Sequence, residues 1–161
     1  MSETSNPRVK LKTSQGDLLV ELWPDVAPGH AENFLKLTRE KFFDGLSFHR
    51  ILPGFVIQGG CPRGDGTGGP GYRIKAEFND RRHDVGVLSM ARSSDPDSAG
   101  SQFFICLSRE GCEHLDGQYT AFGRVVEGLD VVKRLGETPL ADARSGTPVE
   151  PPIIELATAV E

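Results

Sequence analysis

Glycine and proline punctuate this chain so densely that no long, uninterrupted element can form. Nineteen glycines and eleven prolines lie at separated points along 161 residues. Proline removes a backbone donor and glycine adds backbone freedom, so both interrupt regular structure. Short strands joined by frequent turns are therefore expected, rather than disorder. Residues 9–12 and 18–22 read as strands around a hairpin at Ser14-Gln15-Gly16. Pro24 and Pro28 then stop the strand. From Pro28 onward, Ala31, Phe34, Leu35 and Phe42 recur at helical spacing and Gly45 lies just beyond, which predicts a helix covering one side of a sheet. Further strands are predicted at 48–51, 56–59, 87–90, 103–106, 122–125 and 153–158, with a second short helix at 129–135. Many short strands with two helices indicate an all-β barrel or sandwich. A closed barrel is favoured, because no long blunted edge strand is evident.

The bulk properties narrow the function classes. Residues 1–161 suffice for one domain with a sizeable core. A net charge of −5 and a pI near 5.4 argue against nucleic-acid or anionic-membrane partners. Arg81-Arg82-His83 is the densest basic run and reads as a solvated turn. The segment from Met1 to Pro7 lacks an apolar leader core and no window resembles a membrane span, so a cytoplasmic location is expected. Cys61, Cys106 and Cys112 form no CxxC pair and support neither a disulfide framework nor a zinc site.

Familiar chemical motifs fail. Gly64-Asp65-Gly66-Thr67-Gly68-Gly69 fits the dinucleotide pattern, but Pro70-Gly71 follows where a helix must begin. Asp95-Pro96-Asp97-Ser98-Ala99-Gly100 starts like a calcium loop, yet Ala99 replaces a ligand and Cys106 stands where the bidentate Glu belongs. His30, His49, His83 and His114 show no ligand spacing, and no G-x-S-x-G elbow exists. No metal, cofactor or nucleophile is expected. What stands out instead is residues 48–60, where Arg50 and Gln58 interrupt an apolar run containing Phe48, Phe55 and Val56. Buried polar groups cost free energy unless paired, so this segment reads as a greasy surface with one cation and one amide aimed into it.

Phe48-His49-Arg50, Pro53-Gly54-Phe55 and Gln58-Gly59-Gly60 together resemble the signature of the cyclophilin peptidyl-prolyl cis-trans isomerases. The resemblance covers nearly the whole chain. It extends over Ala27-Pro28 with Glu32-Asn33-Phe34, Gly66-Thr67-Gly68-Gly69, Leu88-Ser89-Met90-Ala91, the run from Gly100 to Ile105, Leu115-Asp116-Gly117 and Phe122-Gly123-Arg124-Val125. It implies an eight-stranded antiparallel closed β-barrel capped by two α-helices, with the active site on the outer face. Carried over residue by residue, it makes Arg50 the catalytic cation and Phe55, Phe104 and Leu115 the walls of a proline pocket, with Val56 where most members have Met. Gln58 and Gln102 would supply hydrogen bonds, and the backbone at Ala91 and Arg92 would hold an extended peptide. Tyr119 stands where members carry His or Tyr.

The physical chemistry suits that assignment. Amide resonance sets a barrier of about 18–20 kcal/mol to rotation, and no bond has to break. What is needed is stabilisation of a twisted amide whose nitrogen regains a lone pair, which a guanidinium can provide. By alternation, Phe34 and Phe103 belong to the core while Phe55 and Phe104 face outward. The expected partners are proline-containing peptides and folding proteins, met by a monomer. His114 occupies the position where cyclosporin-sensitive members carry Trp, so a cyclosporin-type ligand is expected to bind weakly. Arg92 replaces the usual Asn, as in bacterial members. Two rival readings are a proline-binding module with incidental turnover and a holdase chaperone.

Overall fold

The computed structural model describes residues 6–160; residues 1–5, which carry most of the leader reading, and Glu161 lie outside the described residues. The first hairpin forms where its turn chemistry places it. β1 (Arg8–Thr13) pairs antiparallel with β2 (Gly16–Leu22), and Gly16 adopts φ +137°, which L side chains rarely reach. Along β1, Val9 and Leu11 are buried while Arg8, Lys10 and Lys12 are exposed, the alternation of a strand with one wet face.

β3 (Arg50–Leu52), β4 (Val56–Gly59), β5 (Val87–Met90), β6 (Phe103–Cys106), β7 (Ala121–Glu127) and β10 (Ile154–Val160) complete one sheet of eight strands, ordered β10-β1-β2-β7-β5-β6-β4-β3. Its pairings are all antiparallel. The expected closed barrel is not what forms. The sheet is curled but open, with β10 and β3 as its two edges. The residues before β10 are Pro151 and Pro152, which have no N–H to donate, and β3 is only three residues long. Among the described residues the two edges meet only through the loop before β3, at a single Ser47–Ile153 bridge, with Phe48 N–H donating to Pro152 O at 2.8 Å and Ile154 N–H to Leu46 O at 2.8 Å. The rest of the β3 edge is covered by a small hairpin of β8 (Leu140–Asp142) and β9 (Thr147–Pro148), from which Gly146 O accepts the Ile51 N–H at 2.7 Å.

Three α-helices accompany the sheet, one more than expected: α1 (Pro28–Arg39), α2 (Arg109–Cys112) and α3 (Leu129–Gly136). Pro28 sits in the first turn of α1, as read from sequence, but the helix ends before Phe42, where Lys41 takes φ +63°. A distant carboxylate caps α1: Glu77 accepts the N–H groups of Gly29 and His30 at 3.0 and 2.8 Å. Helices α1 and α3 press on the concave face, where Phe34, Phe43, Phe48, Phe103 and Phe122 are fully buried. Phe34 lies 4.8 Å from Phe43, 5.3 Å from Phe103 and 5.5 Å from Phe122, centroid to centroid. Such pairs add to the burial of apolar area. With the inside filled by aromatics, the alternate residues of β4, β5 and β6 are left to build the outer face. Among the described residues no helix is long and apolar enough to cross a membrane.

Candidate active site

Sheet register aligns the site. Arg50 pairs with Gln58, Gln58 with Phe104 and Phe104 with Ser89, so one row of side chains runs across β3, β4, β6 and β5 on the outer face. One position along, Ile51, Ile57 and Ile105 point inward and are fully buried. Two positions along, Leu52, Val56 and Cys106 return to the outer face and pack beside Phe104. Phe103 and Phe104 thus divide as alternation predicts, the first into the core and the second into a separate outer cluster with Val56, Val87, Cys112 and Leu115.

This outer cluster forms a small apolar wall. Val56 is 3 % exposed, Phe104 5 % and Leu115 5 %, with Phe55 and Tyr119 half-buried at its rim. Phe55 is held by its own backbone: its carbonyl accepts Leu107 N–H at 2.8 Å and the Cys112 thiol at 3.3 Å. Ser108 caps α2 and donates to Gly54 O at 2.8 Å, tying the turn that carries Phe55 to that helix. The exposed His114 ring stacks on Phe55 at 5.6 Å, and the Tyr119 ring meets Phe104 edge-on at 5.8 Å. Arg92 lies over Tyr119, 4.4 Å from the ring centre, and donates to Ser93 O and Gln118 O at 2.9 and 2.8 Å.

A polar chain leads away from the wall. Arg50 Nη1 donates to Gln58 Oε1 at 3.5 Å, and Gln58 Nε2 donates to Gln102 Oε1 at 3.0 Å. Gln102 Nε2 then donates to Gly66 O and Gly68 O, both at 2.9 Å. Both amide hydrogens of Gln102 are therefore committed to the glycine-rich loop, so this side chain anchors the loop rather than offering a free donor. Ala91 N–H is likewise spent on Gln102 O at 2.9 Å. Arg50 is exposed and has no ion-pair partner among the described residues. The premise of a cation in a buried strand is corrected, because β3 is an edge strand whose outer face meets solvent.

Behind Phe104 sits a network that the sequence reading missed. His83 is fully buried, not part of a solvated turn, and its ring stacks on Phe104 at 6.3 Å. Asp116 accepts the His83 backbone N–H at 2.7 Å and lies 3.1 Å from its Nδ1, while Ser89 Oγ is 2.8 Å from Nε2. Arg109 pairs with Asp116 at 2.8 Å and holds its carboxyl at about 2. With Asp116 ionised, Nδ1 carries the proton and Nε2 accepts from Ser89. The clue was the Asp in Leu115-Asp116-Gly117, a charged residue beside a pocket wall.

Burial pulls His83 and His30 below the ordinary histidine range, outweighing the raising effect of Asp116 and Glu77. The unfolded chain takes up these protons near pH 6.5 and the folded one does not. Their neutral forms thus contribute stability that is full above about pH 6.5 and lost as pH falls through the folded-state values. Asp116 adds a loss between about pH 4 and 2. Thermal melting is expected to be flat above about pH 7 and to fall progressively below 6.5. A melting temperature unchanged down to pH 4 would contradict the buried neutral histidines. Burial, then the Arg50 charge, lowers His49 as well, and its Nδ1 is buried without a partner.

Comparison with known proteins places the fold that carries these residues. The sequence profile of the family described as "Cyclophilin type peptidyl-prolyl cis-trans isomerase/CLD" matches residues 8–159. The chain is 54 % identical over 117 residues to peptidyl-prolyl cis-trans isomerase B of Bacillus subtilis, covering 71 % of this chain and 80 % of the relative. It is 43 % identical over 157 residues to peptidyl-prolyl cis-trans isomerase ppi1 of Schizosaccharomyces pombe, covering 94 % and 98 %. A crystal structure of a Cryptosporidium parvum cyclophilin type isomerase, determined in the presence of the dipeptide Ala-Pro, superimposes with a TM-score of 0.88 at 34 % identity, covering 96 % of this chain and 99 % of that one. An outward row of Arg, Gln and Phe on a curled eight-stranded sheet, a profile matched over almost the whole described length and relatives of this similarity lead to one assignment. This chain belongs to the cyclophilin-type peptidyl-prolyl cis-trans isomerase family.

Proposed function

We propose that this chain catalyses rotation about Xaa-Pro peptide bonds and assists the folding of proline-containing chains, with Arg50 stabilising the twisted amide. The observation that carries the reading is a guanidinium without an ion-pair partner among the described residues, one row-position from Gln58 and two from Phe104, beside an apolar wall of Val56, Phe104 and Leu115. In this mechanism the proline ring rests on Phe55, Val56, Phe104 and Leu115. The preceding carbonyl swings free, and Arg50 donates toward the pyramidal nitrogen as it regains its lone pair. That interaction exists only away from the planar ground state, so it lowers the barrier rather than merely tightening binding. Gln58 receives Arg50 and aims it, while Gln102 keeps the glycine-rich loop in place. Because Arg50 is exposed, its field is set by alignment more than by water exclusion.

A protease-coupled assay with an Ala-Pro peptide tests this. Substoichiometric protein is expected to accelerate the slow cis-to-trans phase, which otherwise takes roughly tens to hundreds of seconds. The rate is expected to stay flat from about pH 6.5 to 8, because arginine does not titrate there and His49 and His83 are held neutral. No acceleration would overturn the enzyme reading, and a steep step near pH 6.5 would move the chemistry to a histidine.

A further inference from the structure

Arg50 reaches Gln58 through a bond of 3.5 Å, long for a hydrogen bond. An arginine side chain has large rotamer freedom, and so weak a tether does not fix its direction. A second hold comes from far along the chain. Gly146 ends the turn between β8 and β9 and is buried, whereas Ala143, Arg144, Ser145 and Thr147 around it are exposed. What covers it is β3. A methyl group added at Gly146 would lie 3.1 Å from Arg50 Cγ, 3.0 Å from Leu52 Cδ2 and 2.8 Å from Ile51 O. The stem of Arg50 therefore rests on bare backbone, at an approach that only glycine allows, and the φ of +78° asks for glycine as well.

The hairpin beneath the stem is braced on every side. Ile51 N–H donates to Gly146 O at 2.7 Å, and Gly146 N–H to Asp142 O at 3.0 Å. Asp142 Oδ1 accepts Arg144 N–H at 2.9 Å, and the Ser145 and Thr147 hydroxyls lie 2.7 Å apart. Behind the turn, Val149 N–H donates to Pro139 O at 3.0 Å, Pro148 is buried and Leu140 packs on the core. Arg50 is thus held at two points, its Cγ on the hairpin and its Nη1 on Gln58.

We propose that the β8–β9 hairpin positions the catalytic cation, with Gly146 as a positioning residue that fixes the Arg50 stem and so the direction of its guanidinium. The inference rests on the isomerase reading above and adds a residue outside the pocket on which the rate depends. A guanidinium that acts only on the twisted amide has to be in place before the bond turns. A stem free to rotate costs rate and leaves the grip on the proline ring intact.

Gly146→Ala is expected to lower kcat/KM on an Ala-Pro peptide about tenfold through kcat, with peptide affinity within about twofold of wild type. Gly45→Ala is the control for backbone strain, since Gly45 has φ +82° and nothing within 4 Å of an added methyl group. It is expected to melt below wild type and to keep kcat/KM within about twofold. In an Arg50→Ala background, Gly146→Ala is expected to change kcat/KM by less than about twofold, because the side chain it displaces is gone. An equal loss in both backgrounds overturns the positioning role and spares the isomerase reading. So does wild-type kcat in a folded Gly146→Ala, a loss carried by affinity, or an equal loss in Gly45→Ala. One check needs no substitution: a nuclear Overhauser contact between the Gly146 Hα and Arg50 Hγ protons of the unaltered protein is expected, and its absence overturns the inference. Wild-type protein that turns over no peptide overturns both readings.

Discussion

Replacing Arg50 with alanine is expected to lower kcat/KM on an Ala-Pro peptide by about 10²–10³, the loss typical of removing one preorganised donor from a transition state. Peptide affinity is expected to fall by less than about fivefold, because Arg50 lies beside the apolar wall and contributes little to gripping the ring. The fold has little stake in this side chain, which is exposed, sits on an edge strand and, among the described residues, hydrogen-bonds only Gln58, at 3.5 Å. Melting temperature therefore stays within a degree or so of wild type. Arg50→Lys is expected to recover only part of the rate, since an ammonium is a point charge without the planar fork that Gln58 aligns. Equal losses in affinity and rate would make Arg50 a binding residue.

The second large effect lies one residue from the site. Phe103→Ala is expected to cost about 3–5 kcal/mol of stability and roughly 6–20 °C in melting temperature. Phe103 is fully buried and touches Phe34, Phe43 and Phe48 at centroid distances of 5.3, 5.6 and 6.2 Å. Phe104→Ala removes a wall of the proposed proline pocket and is expected to raise KM by about tenfold or more, beside the stability cost of losing a ring that is 5 % exposed and packed against His83 and Tyr119. Adjacent phenylalanines thus separate the two sides of the sheet, with a loss of peptide turnover in the folded protein expected from the outer one alone. If Phe103→Ala melts like wild type and raises KM while Phe104→Ala leaves KM unchanged, the inside and outside of β6 are exchanged.

The fold was legible where information is local. Hydrophobic alternation along β1, the proline at the start of α1 and the hairpin glycine all act within a few residues, so the sequence carries them openly. The open sheet was not legible. The two prolines before β10 were visible, but not that the partner they fail to pair with fully is the loop ahead of β3. The β8–β9 hairpin escaped for the same reason, since its role is to cover an edge more than eighty residues away in the chain. In the site, the residue types at positions 50, 55, 58 and 104 pointed to one cation, one amide and two outward rings. Which donors are already used could not be read. Gln102 is bound to carbonyls on a loop 34 and 36 residues away, and His83 joins Asp116 across 33 residues. His83 hid inside a run of basic residues because composition suggests solvent there, and only packing shows a neutral ring behind Phe104.

Exchange NMR on an Xaa-Pro peptide tests the central claim most directly, because it watches rotation and binding in one tube. With catalytic amounts of protein, cross-peaks between the cis and trans proline signals are expected to appear at mixing times far shorter than the uncatalysed interconversion. Shifts on the protein are expected to centre on Phe55, Gln58, Phe104 and Leu115. With Arg50→Ala at matched saturation, the same protein shifts are expected to persist while the exchange cross-peaks vanish. Peptide bound by the wild type with no acceleration of exchange would contradict the account and leave a proline-binding module in its place.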